Sequence, residues 1–192
     1  MKKALGPINA LYPSLTVLLG SHVDGKANFS AIAHVGILNH GQPQYISFGV
    51  NKAHHTNRGI VENRAFSVNI PSENLVVETD YCGLVSGKKT DKSDLFELFY
   101  GDTQAAPMIK ACPVCMECLL QDVLDYKTHS VYVGEIRQVH ADESVLTDGA
   151  IDPGKLRPLL FDMGLKKYWS LGPTVGDCWS IGKQMKKSRR GT

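Results

Sequence analysis

The strongest constraint in this sequence is a succession of strand-forming runs broken at short intervals by tight turns. Leu15 to Val23 reads as a buried strand, with Thr16, Val17, Leu18 and Leu19 bounded by turn residues. Asp24-Gly25 follows, and both central positions of a two-residue hairpin turn need positive φ, which this pair accepts at low cost. The chain returns through Ala27 to Val35 and turns again over Asn39-His40-Gly41-Gln42-Pro43. It then alternates from Tyr45 to Val50. Three consecutive strands joined in this way make a meander.

Beyond the meander, Lys52 to Thr56 is a polar loop. Asn57 to Arg64 reads as a short helix with Thr56 or Asn57 as its cap. Ala65 to Ile70 is a further strand, stopped by Pro71. Ser72 to Tyr81 is a helix candidate capped by Ser72 and ended by Cys82-Gly83. Cys118 to Leu124 and His129 to Val139 read as two long strands, and residues 153–172 hold one short apolar element and the pair Tyr168-Trp169. Six or seven strands with two or three short helices predict a mainly β fold closed into a barrel, since closure removes unpaired strand edges.

The chain has 192 residues, 43% of them hydrophobic, and no linker or repeat, so it reads as a single domain over 1–192. The formal net charge of +2 is too small to argue for nucleic acid as a partner. No segment reaches the roughly 20 apolar residues of a membrane span. Gly6, Pro7 and Asn9 interrupt what would have to be a secretory run after Lys2-Lys3, so a cytoplasmic location is expected. An odd count of five cysteines does not read as a disulfide framework. Residues 183–192 are basic, with no acid among them, and read as a frayed end rather than a nucleic-acid arm.

Taken in order, several stretches resemble a known family. They are residues 5–7 (LGP) with 12–13 (YP), 25–36 (GKANFSAIAHVG), 55–56 (HT) with 60–63 (IVEN), and 66–71 (FSVNIP). They continue through 80–83 (DYCG), Ser86-Gly87, Asp91-Lys92, Glu117-Cys118, His129 with 133–135 (VGE), and Tyr168 with Leu171-Gly172. In order and spacing the chain is similar to the flavin reductase-like, FMN-binding split-barrel proteins, and within them to the flavoredoxin type. The resemblance implies a Greek-key-like split β-barrel, FMN as cofactor, and a homodimer with FMN near the subunit interface. It also implies NADH, NADPH or a ferredoxin-like protein as electron donor.

FMN makes two physical demands. Its phosphate needs several donors and positive charge, and residues 52–57 supply an ammonium, two imidazoles, a hydroxyl and an amide ahead of a helix N-terminus. Lys52, His55, Thr56 and Asn57 are the candidates there, unless Thr56 only caps the helix. The ring needs a flat slot with polar partners. Ser30, Ala31 and His34 lie on or near one strand, with Ala31 and Ala33 also readable as simple core packing. Many flavoredoxin-type relatives place Trp at the position of His34. Lys92 is the candidate charge beside the ring, where an ammonium would stabilise the reduced form. Lys52 could share that task, and a solvated surface lysine is the plain alternative for either. Ser86 shapes the same loop, and Gly87 permits an unusual backbone angle.

Two rival chemistries can be read from the same residues. Cys112, Cys115 and Cys118 have the spacing that begins an iron–sulfur or zinc site, but the next cysteine, Cys82, lies far upstream. Without a fourth ligand they read as strand residues or small buried hydrophobes, with no metal. Catalysis by a protein nucleophile finds no serine or cysteine in a suitable local setting. No glycine fingerprint for a nicotinamide-binding Rossmann unit is present, so nicotinamide would have to dock directly over the flavin. The remaining alternative on the same fold is an FMN- or haem-type binding module without turnover.

Overall fold

The computed structural model describes residues 1–188. The strands are β1 (Ser14–Leu15), β2 (Val17–Val23), β3 (Lys26–Ile32), β4 (Val35–Ile37), β5 (Tyr45–Asn51), β6 (Ala65–Ile70), β7 (Leu98–Phe99), β8 (Met108–Ile109), β9 (Val114–Asp125), β10 (His129–Ala141), β11 (Leu146–Thr147), β12 (Ala150–Ile151), β13 (Leu160–Asp162) and β14 (Lys167–Trp169). The helices are α1 (Thr56–Asn63), α2 (Val76–Leu84), α3 (Pro153–Leu156) and α4 (Lys183–Ser188).

One antiparallel sheet of seven strands dominates, in the order β3-β2-β6-β9-β10-β5-β4. Its two edges, β3 and β4, are consecutive in the chain and joined only by Ala33-His34. The sheet must therefore curl until its edges meet at that link, where Gly49 N donates to His34 O at 2.9 Å. The expected full closure is not reached, because β3 and β4 share a covalent link and no ladder. The result is the mainly β split barrel expected from the resemblance.

The two-residue period of β2 divides the core. Val17 and Leu19 face the inside of the curl with Phe48, Phe66 and Tyr132, while Leu18 faces a second cluster with Phe29, Met108, Ile109 and Cys82. Inside the curl, Phe48 stacks on Tyr132 at 5.3 Å and meets Phe66 edge-on at 4.9 Å.

The Asp24-Gly25 turn forms as expected, with φ of 52° and 77°. Other boundaries move for reasons of packing. Helix α1 starts at Thr56 with His55 in the cap position, and no side chain caps it. Thr56 is fully buried and turned inward, so neither it nor Asn57 is the cap. Ser72 precedes a 3-10 turn (Glu73–Leu75) without capping it through its side chain. Helix α2 then runs through Cys82-Gly83 to Leu84, because Cys82 is buried in the second core cluster and tertiary burial outweighs a weak local stop. Strand β9 begins at Val114 rather than Cys118, since its first half pairs with β6. In the basic tail, Lys183–Ser188 form a short helix where fraying was expected, and residues 189–192 lie outside the described residues. Among the described residues no helix is long and apolar enough to cross a membrane.

Candidate functional site

Three clefts on one side of the curl share residues and run together as a trough. The widest, about 370 Å³, is bordered by Ala31, His34, His129, Phe161 and Tyr168, with Thr16 on its floor. The middle one, about 310 Å³, is bordered by Ser30, His55, Cys82 and Ser86, and shares Asn51, His54, Gly83 and Leu84 with the first. The third, about 230 Å³, is bordered by Asn28, Lys88, Lys89 and Lys92, and shares His55 and Gly87 with the second.

Ser30 owes its position to a buried hydrogen-bond series. Asn28 Nδ2 donates to Thr56 Oγ1 at 2.7 Å, and Thr56 Oγ1 lies 2.6 Å from Ser30 Oγ. With its lone pairs engaged by Asn28, Thr56 can donate to Ser30 and so leave the Ser30 proton directed at the trough. Thr56 itself is fully buried behind Ser30. This joins β3 to the start of α1 and sets the middle cleft between them. Gly87 completes the wall through lack of a side chain. A Cβ there would strike Asn28 Oδ1 and sit 3.0 Å from His55 Cδ2. Its φ is not in the left-handed region, so space rather than the expected unusual backbone angle explains this glycine.

Lys92 is only 3% exposed, which overturns the surface reading. Its Nζ donates to Phe29 O at 2.5 Å, Val85 O at 3.2 Å and Cys82 O at 3.5 Å. No carboxylate pairs with it among the described residues, and burial pushes its pKa down. Asp91 instead faces Lys26 at 2.5 Å. The ammonium thus lies beneath the trough, between β3 and the C-terminal turn of α2, where carbonyl oxygens favour a cation.

The remaining candidates divide. Ala31, His34, His55 and Ser86 border the trough. His34 Nε2 is 3.1 Å from the Tyr12 hydroxyl, and its ring is 6.2 Å from that of His129. Lys52 turns away to Asp125 at 3.3 Å and does not border the trough. Asn57 is buried, and its Nδ2 donates to Asn51 O at 2.8 Å, so it positions the turn rather than lining the cleft.

Several lining residues stand outside the named candidates, although His54 is one of the two imidazoles of residues 52–57 and Tyr168 is part of the resemblance. Asn51 and His54 sit where the wide and middle clefts meet. Burial, then Lys92 and His129, lower the pKa of His54. Across the wide cleft the Tyr168 hydroxyl donates to Asp80 at 3.0 Å, tying β14 to α2. Burial and then Asp80 push that phenol up to about 12. Thr16 Oγ1 is buried without a protein partner. Only the polar run 51–57 carried a local hint of any of these.

Four of the five cysteines belong to the core, and Cys178 is exposed. Cys82, Cys112, Cys115 and Cys118 are all buried. Burial pushes Cys82 up to about 11 and Cys115 up to about 12, so these thiols stay protonated at neutral pH. Among the described residues no group of three His, Cys, Asp or Glu could hold a metal ion.

Comparison with known proteins decides the family. A model described as the flavin reductase like domain matches residues 9–169. The chain belongs to the flavin reductase-like family. The crystal structure of flavoredoxin from Methanosarcina acetivorans is 43% identical, with a TM-score of 0.90 over 96% of this chain and 98% of that one. Flavoredoxin of Desulfovibrio vulgaris (Miyazaki F) is 33% identical, with a TM-score of 0.86 over 95% and 100%. An uncharacterized protein of Archaeoglobus fulgidus is 30% identical over 69% of this chain and 75% of its own length.

This membership bears out the expected flavin cofactor, FMN, and the residues present fit it. The wide cleft has a mostly apolar lining that includes small Ala31 and aromatic Tyr168. The next cleft offers the Ser30 hydroxyl and His55, and the last offers Lys88 and Lys89 beside the Gly87 cradle. An apolar slot leading into hydroxyls and positive charge matches a ring at one end and a phosphate at the other.

Proposed function

We propose that this chain is an FMN-dependent oxidoreductase of the flavoredoxin type, working as one domain over 1–192. It would receive electrons from NADH, NADPH or a ferredoxin-like protein and pass them to a flavin, ferric iron or a redox protein. The observation that carries the reading is the buried Asn28–Thr56–Ser30 series, which ends at a hydroxyl bordering the trough. The likeness to two flavoredoxins over nearly the whole chain supports the same reading.

Bound FMN would supply reversible electron transfer, accepting and releasing electrons without a protein nucleophile. The chain's residues do the rest. Ala31 and Gly83 keep side-chain bulk out of the slot, and Ser30 donates to a polar edge of the ring system. His55, Ser86 and Lys88 are placed for the phosphate. Lys92 acts from below through its charge, since its protons are already taken by carbonyls. We also propose a homodimer in the cytoplasm, the dimer being supported by apolar residues left exposed around the trough.

Denaturing the purified protein and weighing the released chromophore tests the cofactor. FMN is the expected result, and a colourless protein without affinity for added FMN would refute the reading. Anaerobic titration of the holoprotein with NADH and NADPH then tests the donor. Bleaching by either supports reductase activity. No bleaching by either, but bleaching by a reduced ferredoxin-like protein, would assign the carrier role.

A further inference from the structure

His54 lies on the turn between β5 and α1, where the wide and middle clefts meet. Its backbone N–H donates to Asn51 O at 3.0 Å and fixes the turn. Among the described residues its imidazole makes no hydrogen bond, so both ring nitrogens are available.

The charged and titratable groups facing this junction come from every surrounding element. Lys92 approaches from the loop after α2, and His129 approaches from β10. His34 on the β3–β4 link and His55 at the start of α1 border the same clefts. Tyr168 on β14 is a neutral phenol at pH 7, and Cys82 on α2 is a neutral thiol. The single carboxylate bordering these two clefts, Asp80 on α2, is already engaged by the Tyr168 hydroxyl. His54 therefore has the Lys92 ammonium and the His129 ring as neighbours and no acid partner. Burial and those neighbours keep it neutral at pH 7. An opposite charge within about 4–6 Å reverses such a balance, because it favours the charged form of the imidazole.

We infer that His54 makes capture of FMN proton-linked: the imidazole is neutral in the free protein and becomes an imidazolium donating to the FMN phosphate in the complex. The inference rests on the FMN reading above. The proton comes from solvent, and no covalent bond is made or broken. The phosphate is the source of the charge because His54 shares the middle cleft with His55 and Ser86, the imidazole and hydroxyl placed for it. The sign follows from linkage. Binding raises the imidazole pKa, so affinity is greatest at low pH and falls as pH rises through the value in the complex.

The test is calorimetry of FMN binding to the apoprotein at pH 7.5 in two buffers of different ionisation enthalpy. Wild type, His54→Gln and His40→Gln are compared, and riboflavin serves as a second ligand. The FMN phosphate itself titrates near pH 6, so the quantity read is the difference between wild type and His54→Gln. That difference is expected to be on the order of half a proton taken up or more, and absent with riboflavin. Between pH 6 and 8 the FMN affinity of wild type should fall about tenfold more than that of His54→Gln. His40→Gln, in an exposed turn, should behave as wild type. Direct NMR titration of the His54 imidazole in the wild-type protein, with and without FMN, keeps the test independent of any variant. FMN binding without an upward shift of that titration overturns the inference and leaves the FMN reading standing. Equal uptake with riboflavin overturns it too. Failure of FMN to bind refutes the reading on which it rests.

Discussion

An ammonium with three carbonyl partners and no carboxylate is an expensive thing to bury, and Lys92 is held that way at the edge of the trough. Replacing it with Met removes the charge and leaves the carbonyls of Phe29, Val85 and Cys82 without their shared donor. Each buried acceptor left unpaired costs about 1–3 kcal/mol, while removing a desolvated charge offsets part of that. The net expectation for Lys92→Met is a loss of about 2 kcal/mol in stability, read by urea unfolding. Removing a cation beneath the flavin should also lower its reduction potential, read by potentiometric titration. An unchanged potential would mean that Lys92 only ties β3 to α2. This residue also shows what the sequence conceals. That Lys92 matters near the ring was legible from its place after Asp91, but its burial was not, because the partners lie on other elements. In residues 52–57 the donor types were legible and their directions were not. The chain turns there, so Lys52 reaches outward to Asp125 while His54 and His55 face the trough.

At the scale of elements, the site is a matter of how α1 sits on the sheet. Gly59, mid-helix, allows this contact, since a Cβ there would run into His22 O and lie 2.9 Å from Val23 Cγ2. Gly59→Ala therefore sets two effects against each other. Helix propensity favours alanine by about 1 kcal/mol. Overpacking against backbone that cannot retreat costs roughly 1–3 kcal/mol and here should win. The expected outcome is net destabilisation together with weaker FMN retention, because a displaced α1 carries Thr56 and His55 away from Ser30. Greater stability with unchanged FMN affinity would show that the helix can shift freely. The strands themselves were well marked in the sequence. The Asp24-Gly25 turn, the alternation of 45–50 and the run 65–70 all act locally, through φ preference and a two-residue period. What could not be read locally was pairing. The link of β6 to β9 through residues 114–119, which makes Cys115 and Cys118 strand residues, joins segments about fifty apart. A still longer separation, 88 residues, hid the Asp80–Tyr168 tie.

At the scale of the molecule, the curl leaves β4 as a sheet edge carrying an exposed Ile37, and sheet edges are normally covered. Beside it a further cleft of about 590 Å³ is bordered by Leu11, Tyr12 and Tyr126, and it shares His34 and His129 with the wide cleft. Leu11, which borders that cleft, is 87% exposed, and Leu84 and Met163, which border the wide cleft, are 75% and 52% exposed. Scattered exposed apolar side chains need no explanation, but large ones gathered beside a binding trough and an open edge mark a surface that another chain covers. A second copy is the occupant that the proposed homodimer supplies, and the trough would then be finished by both chains. Size-exclusion chromatography with light scattering should give the mass of two chains. Leu11→Glu would place an unpaired carboxylate in that contact at a cost of about 2 kcal/mol or more, roughly thirtyfold in the dissociation constant. Because Leu11 is exposed in the single chain, the monomer should stay folded by circular dichroism. FMN retention should fall in step with dissociation, as the shared wall around His34 opens to water. A wild-type monomer that holds FMN tightly would sink the shared-trough arrangement, and the exposed Leu11 and Ile37 would then need a different partner.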